Sequence, residues 1–343
     1  MPSVLLGMSG GVDSTAAALI LRRRGYDVRG ITFLMHDAQL PALAEGARRA
    51  ADEVGIPLTV LDLRERFRER VIAPFAEQYF SGRTPNPCAL CNERVKFPEL
   101  LRFADENSID YIATGHYADV VRRPDGYFIS AARDAAKDQT YFLCFLGQDV
   151  LSRLTLPLSG LTKPEVRALA AEAGLHAAES RDSQDVCFIP DGDCGAFLDR
   201  LCPGRAVPGC FTDPSGAVLG PHTGIGHYTV GQRRGLGVAA DSRLYVKRID
   251  AAENRVILCR DAELYEPSVT VSGCSYAAGA APAAPFRADV RLRYTRRRAM
   301  ATVTPLPGGG ARIEFDVPQR APAPGQAAAF YDGPLLLGGG TIE

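Results

Sequence analysis

Cysteine chemistry is the first possibility that the sequence raises, because two of its nine cysteines, Cys88 and Cys91, form a Cys-x-x-Cys pair. The pair follows the proline-rich segment 84–87 and precedes a helical pattern, so we expect it at the start of a helix. Unpaired amide groups and the helix dipole favour a thiolate there, which predicts lowered thiol pKa values and suits a nucleophile or a metal ligand. One pair is weak evidence for a structural zinc site, which generally needs four ligands. By spacing alone, the distant Cys187 would be a buried structural cysteine.

A second candidate for chemistry is the hexapeptide Ser-Gly-Gly-Val-Asp-Ser at residues 9–14, between a strand-like run and a helical one. Its glycines allow close backbone approach and the helix start offers unpaired N–H groups, so this turn can hold a pyrophosphate. It lacks the Gly-Lys-Ser/Thr ending of a Walker loop and the GxGxxG of a dinucleotide site. The alternative, a tight turn with a polar cap, explains Ser14 but not the order of the other residues.

Composition and charge indicate a globular protein that would bind a polyanion only through local basic clusters. Hydrophobic residues make up 46% and charged residues 23%, which excludes global disorder. The net charge is −1, so a polyanion must be bound by local clusters such as the basic segments 227–248 and 287–298. The start of the chain lacks a signal-peptide pattern, and no apolar run is long enough to span a membrane. We therefore expect a cytoplasmic protein with reduced thiols and no membrane partner.

The elements that position these residues fall into three regions. In residues 1–195 strands alternate with helices, which predicts an α/β fold with a parallel, nucleotide-binding sheet. Its strands are expected at 4–7, 28–34, 58–63 and 111–114, and its helices at 14–24, 43–54, 67–80 and 99–106. Residues 196–264 are rich in glycine and proline and contain short strand-like runs, which predicts a small β-rich central domain. In residues 265–343, runs with the period of a strand predict a C-terminal β-barrel.

Several segments resemble known motifs. The hexapeptide resembles the loop of the PP-loop ATPases, which cleave ATP between its α and β phosphates. Five further segments resemble motifs of the tRNA-specific 2-thiouridylases: Thr-Pro-Asn-Pro-x-x-x-Cys-Asn at 84–92, Ala-Thr-Gly-His-Tyr at 113–117, Lys-Asp-Gln-Thr-Tyr-Phe-Leu at 137–143, Asp-Val-Cys-Phe-Ile at 185–189 and Tyr-Thr-Val-Gly-Gln-Arg-Arg-Gly-Leu-Gly at 228–237. The resemblance runs in order from Gly7 to the closing Leu-Gly-Gly-Gly at 337–340, so it covers nearly the whole chain.

The resemblance implies an enzyme, an ATP-dependent sulfurtransferase that 2-thiolates the wobble uridine of tRNA. ATP would adenylate the C2 oxygen, and sulfur carried by cysteines would then replace AMP. Carried over residue by residue, the resemblance makes Cys91 the nucleophile, Cys187 the persulfide-bearing or second catalytic cysteine and Asp13 a contact to Mg²⁺ or pyrophosphate. The sulfur would come from a cysteine desulfurase, a relay protein or sulfide, and the protein is expected to be a monomer.

The resemblance also implies two sets of binding residues. Those expected to bind ATP are Gly7, Met8, Ser9, Gly10, Gly11, Val12, Asp13, Ser14, Phe33 and Gly115. Those expected to contact tRNA are Asn86, Pro87, Cys88, His116, Lys137, Asp138, Gln139, Arg293, Tyr294 and Gln326. Within the first set, Phe33, or its neighbour Leu34, would pack on adenine.

The sequence departs from this family at Cys88, where many members carry aspartate. Cys88 adds a third soft thiolate to Cys91 and Cys187, one short of the four of a usual [4Fe–4S] cluster, so that one iron could bind hydrosulfide. The alternatives are zinc in a three-cysteine site, or a persulfide relay in which Cys88 is a spare thiol. For the function, the alternatives are a tRNA 2-thiocytidine synthetase and a non-catalytic nucleotide- and RNA-binding protein with a structural metal.

Overall fold

The computed structural model describes residues 1–37, 40–179, 186–295 and 297–343, with the side chains of the second helix described from residue 43. Asp185 of the Asp-Val-Cys-Phe-Ile motif and Arg296 of the second basic segment lie outside these ranges. In the described residues, no helix combines the length and the apolar character needed to cross a membrane.

A five-stranded parallel sheet forms the centre of the N-terminal region. Its strands are β1 (Ser3–Gly7), β2 (Asp27–Leu34), β3 (Leu58–Asp62), β4 (Tyr111–Ala113) and β7 (Leu154–Thr155). They lie in the order β3-β2-β1-β4-β7, and each neighbouring pair is parallel. Val4, Leu5 and Leu6 of the central β1 are fully buried, as expected for a parallel strand that is covered on both faces. The predicted parallel α/β sheet is therefore confirmed.

Helices cover both faces of this sheet. They are α1 (Val12–Arg23), α2 (Leu40–Val54), α3 (Arg64–Phe67), α4 (Ala73–Phe80), α5 (Pro87–Cys91), α6 (Phe97–Glu106), α7 (Gln148–Leu151) and α8 (Lys163–Glu172). Leu5 packs in a core with α4 and α6, whereas Val4 and Leu6 pack in a core with α1 and α8. Because side chains alternate along a strand, each face of the sheet has its own apolar core.

Two helical stretches contain a wide π-helical turn, and each turn precedes a proline. The predicted helix 67–80 consists of α3, a π-helical turn over Arg68–Ile72, and α4, which has Pro74 as its second residue. A second π-helical turn over Asn92–Lys96 joins α5 to α6, which has Pro98 as its second residue. Proline lacks an N–H and its ring clashes with the carbonyl four residues earlier, so the preceding turn widens.

The central region has a four-stranded sheet of its own, preceded by the helix α9 (Cys194–Leu201). Its strands are β8 (Gly209–Thr212), β9 (Val218–His222), β10 (Tyr245–Asp250) and β11 (Arg255–Cys259), in the order β10-β11-β8-β9. Phe211, Val246, Val256 and Leu258 are fully buried between these elements. The structure thus confirms the small β-rich central domain.

The C-terminal region is a closed antiparallel barrel, as predicted. Its strands are β12 (Tyr265–Tyr276), β13 (Phe286–Arg291), β14 (Ala299–Leu306), β15 (Gly310–Arg320), β16 (Ala327–Asp332) and β17 (Leu335–Ile342). They follow the order β12-β15-β14-β13-β16-β17, and a further pairing of β12 with β17 closes the barrel. At Gly338 in β17 φ is +144°, and a Cβ there would lie 2.0 Å from Ser275 O. This close crossing of β12 requires glycine.

A hairpin of the N-terminal region extends the sheet of the barrel, which the sequence pattern does not reveal. β5 (Asp119–Arg123) and β6 (Gly126–Ser130) pair with each other, and β6 pairs with β17 through Ile129 and Ser130. The paired strands are far apart in sequence, so local patterns carry no sign of this contact. It joins the barrel to the N-terminal region.

The close crossing at Gly338 predicts a large loss of stability for Gly338→Ala. We expect its free energy of unfolding to fall by about 3 kcal/mol or more, because the new methyl group overlaps Ser275 and the backbone conformation is strained. Gly333→Ala is the matched control, since Gly333 also has positive φ (+54°) but nothing lies within 4 Å of the added Cβ. It should cost only about 1 kcal/mol. Urea unfolding measures both, and equal midpoints would contradict the argument.

Candidate active site

The carboxyl ends of β1, β2 and β4 lie along one edge of the parallel sheet. The order of its strands makes the gap between β1 and β4 a topological switch point, because the chain continues from β1 to one side of the sheet and later adds β4 on the other. Ligands of open α/β sheets bind in such a crevice. The predicted site residues after β1 and β4 therefore share one location.

The loop between β1 and α1 is shaped by its own polar groups. Ser9 N–H donates to Ser14 Oγ (3.1 Å), and Ser14 Oγ donates to Gly11 O (3.1 Å). At Gly10 φ is +75°, and a Cβ there would lie 2.6 Å from the backbone of Gly46 in α2. The first N–H groups of α1 have no partner within the helix. The predicted residues 7–14 thus form a turn lined by amide groups, which suits a phosphate.

Asp13, the second residue of α1, is bonded by two side chains that the sequence analysis did not assign to the site. Lys163 Nζ donates to its two carboxylate oxygens at 2.8 and 2.7 Å, and Tyr117 OH donates to Oδ1 at 2.8 Å. The Lys163 side chain is only 9% exposed, which is unusual for a lysine. The available signal was the capped helix start Thr-Lys-Pro-Glu at 162–165, which places Lys163 in the first turn of a helix.

Gly115 and His116 follow β4. A Cβ at Gly115 would lie 3.0 Å from the backbone at the start of α1, so this residue packs directly beside the glycine loop. His116 Nδ1 shares a hydrogen bond with Thr114 Oγ1 (2.7 Å), and its ring stacks on Phe97 with centroids 6.1 Å apart. Burial, together with the charge of Lys96, lowers the pKa of His116 to about 3. Its imidazole is therefore neutral at physiological pH.

The Cys-x-x-Cys pair lies in α5, which begins at Pro87. Asn86 Oδ1 accepts an N–H from the first turn of this helix (3.2 Å) and so caps it. Cys91 is buried, and its Sγ lies 3.9 Å from Met35 Sδ, directly after β2. Cys91 thus lies at the same edge of the sheet as the glycine loop.

The predicted lowering of the thiol pKa values is wrong. Loss of solvation by the surrounding protein raises the pKa of Cys88, and it raises the pKa of Cys91 to about 11 and that of Cys187 to about 12, although Cys88 and Cys187 keep part of their surface exposed. The helix continues from α5 through the π-helical turn into α6, so Cys91 is not in a first turn with free amide groups. The positive charge of Lys96 opposes the shift at all three thiols, but the loss of solvation is larger.

Cys187 lies near this pair, although it is distant in sequence. Negative charge on Cys91 and Cys88 raises the pKa of Cys187, which places the three thiols in one neighbourhood. Phe188, the next residue, packs against Phe67 and Phe75 with ring centroids 5.7 and 5.3 Å apart. Cys187 itself is exposed, so the spacing-based expectation of a buried cysteine is wrong. Within the described residues, no three His, Cys, Asp or Glu side chains form a site for a single metal ion.

The predicted adenine contact, Phe33, belongs to the apolar core and is 8% exposed. Met8 of the glycine loop is buried as well, at 3% exposed. The partly exposed residues at this edge of the sheet include Leu34, the alternative adenine contact, and Met35, which contacts Cys91. Sequence reasoning missed Met35 because the resemblance points to Phe33.

Among the residues predicted to contact tRNA, Asp138 is buried and paired within the chain. Its carboxylate lies 3.6 Å from Arg291 Nη1 and 3.4 Å from Arg298 Nη2, both in the barrel. Gln139 Oε1 accepts the N–H of Tyr117 (2.9 Å), while Lys137 is partly exposed. In this state Asp138 connects two regions of the chain.

Arg293 and Tyr294 also have partners within the chain. Arg293 Nη2 donates to Val230 O (2.7 Å) and Ala321 O (3.2 Å), which ties the central region to the barrel. The Tyr294 ring packs on Phe142 with centroids 4.6 Å apart.

Gln326 contacts the segment that leads to the cysteines. Its Nε2 donates to Thr84 O (2.8 Å) and Pro85 O (3.3 Å). The barrel therefore contributes to the position of the Cys-x-x-Cys pair.

Comparison with known proteins assigns the chain to a family. Three family models match it: the tRNA methyl transferase HUP domain over residues 2–191, the tRNA methyl transferase PRC-barrel domain over 195–260 and the aminomethyltransferase beta-barrel domain over 267–342. The chain is 40% identical to tRNA-specific 2-thiouridylase MnmA of Clostridium acetobutylicum, with 99% of each chain covered. It is 44% identical to tRNA-specific 2-thiouridylase MnmA of Syntrophotalea carbinolica, with 99% of this chain and 98% of the relative covered. The chain therefore belongs to the family of tRNA-specific 2-thiouridylases.

Proposed function

We propose that this protein 2-thiolates the wobble uridine of tRNA and uses ATP to activate the base. The observation that carries the proposal is that the glycine loop after β1, Met35 after β2 and His116 after β4 share one edge of the sheet with the thiol of Cys91. A nucleotide site and a sulfur site are thus neighbours. A reaction that first activates an oxygen and then replaces it by sulfur requires this arrangement.

In the first step the uridine O2 attacks the α-phosphorus of ATP. The bond from the α-phosphorus to the bridging oxygen breaks, and its electron pair leaves with pyrophosphate. The amide groups at the start of α1, which have no partner within the helix, and the positive end of the α1 dipole bind the phosphates where negative charge grows. A poor leaving group on C2 thereby becomes AMP, which is a good one.

In the second step the terminal sulfur of a persulfide on Cys187 attacks C2 and expels AMP. The thiolate of Cys91 then attacks Cys187 Sγ, which breaks the sulfur–sulfur bond, leaves sulfur on C2 and joins the two cysteines in a disulfide. The exposure of Cys187 suits a residue that receives sulfur from a donor. The burial of Cys91 suits a residue that reacts only with a partner already in the site.

The target base must leave its stack to reach the edge of the sheet. His116 is a neutral ring at this edge, stacked on Phe97, and it can hydrogen-bond a base without adding a charge. The exposed arginines of segment 227–248 suit contacts with the tRNA phosphates.

The proposal includes two cofactors, Mg²⁺ and a [4Fe–4S] cluster. Mg²⁺ is usually held by one or two carboxylates together with substrate phosphates, and Asp13 is the carboxylate that fits. For a [4Fe–4S] cluster the candidate donors are the thiols of Cys88, Cys91 and Cys187, which are electrostatically coupled. Each cluster thiolate binds a different iron, so these ligands need not converge as the ligands of a single ion do. Bound, the cluster would supply an open iron for hydrosulfide.

The proposal extends to organisation and partners. We assign residues 1–195 to the catalytic domain, 196–264 to a tRNA-recognition domain and 265–343 to the barrel domain. The protein acts as a cytoplasmic monomer and receives sulfur from a cysteine desulfurase, a relay protein or sulfide.

Nucleoside analysis tests the function. Incubation of the protein with unmodified tRNA, ATP, Mg²⁺, cysteine and a cysteine desulfurase under anaerobic conditions with a thiol reductant should produce 2-thiouridine, detected by mass spectrometry, together with tRNA-dependent release of pyrophosphate. Cys91→Ser should remove the thiolation. Cys210→Ser is the matched control, because Cys210 is an exposed cysteine of the central sheet, and it should keep full activity. Formation of 2-thiocytidine instead of 2-thiouridine, or equal release of pyrophosphate with and without tRNA, would refute the proposal.

Iron analysis tests the role of Cys88. After anaerobic reconstitution we expect about four iron and four acid-labile sulfide atoms per chain, because three thiolates and one added ligand can hold a four-iron cluster. Cys88→Ala should lose most of this iron, whereas Cys210→Ala should keep it. If the unaltered protein binds no iron, or if Cys88→Ala keeps full thiolation with a cysteine desulfurase as the sulfur source, the persulfide relay through Cys91 and Cys187 operates without a cluster.

A further inference from the structure

The ion pair of Lys163 and Asp13 lies beside the loop where the proposed function puts ATP. Lys163 Nζ is 2.8 and 2.7 Å from the two oxygens of Asp13, and its side chain is 9% exposed. Lys163 is buried while Asp13 remains partly exposed, and such a pair adds little net stability, because desolvation of the lysine offsets the attraction between the charges. Stability alone is therefore a poor explanation for a lysine at this position.

The charge of Asp13 conflicts with phosphate binding. The start of α1 attracts anions through its free amide groups and its dipole. A carboxylate on the second residue of the same helix repels a triphosphate. Lys163 neutralises this carboxylate, so the loop keeps its attraction for phosphate.

The backbone of Lys163 is held in place while its side chain has a flexible stem. The Lys163 N–H donates to Asp134 Oδ2 (2.8 Å), and the preceding Thr162 N–H donates to Glu165 Oε2 (2.7 Å). These bonds fix the first turn of α8 next to α1. The four-carbon stem of lysine allows its ammonium to change partners by bond rotation, with no movement of either helix.

We propose that Lys163 is a catalytic residue of the adenylation step that binds the pyrophosphate part of ATP. Asp13 holds its ammonium in the free protein, and the ammonium moves to phosphate oxygens when the nucleotide enters. As the bond from the α-phosphorus to the bridging oxygen breaks, the electron pair goes to pyrophosphate, and Lys163 stabilises the charge there. The proposal rests on the proposed function for the reaction, but phosphate binding by Lys163 is measurable without tRNA.

The test distinguishes two effects on ATP affinity: the loss of the Lys163 ammonium, and the repulsion between ATP and an Asp13 carboxylate that has lost its partner. Equilibrium binding of ATP and of adenosine is measured by calorimetry in metal-free buffer for Asp13→Asn and for the double variant Asp13→Asn/Lys163→Met. Both variants lack the carboxylate, so they differ only in the ammonium. We expect Asp13→Asn to bind ATP about tenfold or more tightly than the double variant, and both to bind adenosine equally. Equal ATP affinity would overturn the proposal.

Two further variants complete the design. Arg133→Met removes an exposed cation that pairs with Glu165 at the same helix start, and it should leave ATP affinity unchanged. Adenosine binding reports whether the site is folded. If the double variant loses adenosine binding, it is replaced by Asp13→Asn/Lys163→Arg, which keeps the positive charge. We expect this variant to bind ATP more tightly than adenosine. Loss of that preference overturns the proposal. If thiolation fails while the ATP difference persists, the proposed function is wrong and the role of Lys163 in phosphate binding stands.

Discussion

Hydrogen bonds from the turn before β16 hold the segment that leads to Cys88 and Cys91. Pro324 O accepts the N–H of Thr84 (2.6 Å), and the Gln326 amide donates to the next two carbonyls, those of Thr84 and Pro85. A buried backbone group without a partner costs about 1–3 kcal/mol, so the segment before α5 depends on the barrel for its position.

The pairing of β6 with β17 and the hydrogen bond from Tyr141 OH to Ala327 O (2.9 Å) also join the N-terminal region to the barrel. The barrel is therefore part of the framework of the site.

The two basic segments of the sequence differ in the fold. In 287–298, Arg291 and Arg298 surround the buried Asp138, and Arg287 pairs with Asp316 at the surface, so much of the charge is already neutralised by carboxylates of the chain. In 227–248, the arginines Arg233, Arg234 and Arg243 are exposed, and no described carboxylate lies within 4 Å of them. Long-range attraction of a nucleic acid depends on charge that is not already paired. The central region is accordingly the stronger candidate surface for phosphate contacts.

The pKa of a thiol in this site depends on its position in the helix and on its solvation. A helix start lowers a thiol pKa only within its first turn, because the effect comes from the unpaired amide groups there. Cys91 lies at the junction of α5 with a π-helical turn, where the helix simply continues, and it is buried against Met35. Desolvation then dominates and raises its pKa to about 11. Cys91 of the free protein is consequently mostly protonated at neutral pH, with Lys96 as the nearby positive charge that opposes this.

The sequence by itself determined the local features of this protein. Buried strands and amphipathic helices have their own periods, so the parallel sheet, the glycine turn at 9–14 and most strands of the barrel could be predicted from pattern. Motif order sufficed for the family, and residue type sufficed to single out Cys88, Cys91 and Asp13. The tertiary structure alone decided which of these groups meet. The pairing of β6 with β17, the approach of Cys187 to the pair, and the bond from Lys163 to Asp13 join residues that are far apart in the chain, and no local pattern encodes such contacts. Burial is likewise a property of the packed molecule, which is why the thiol pKa values differ from those expected for a helix start.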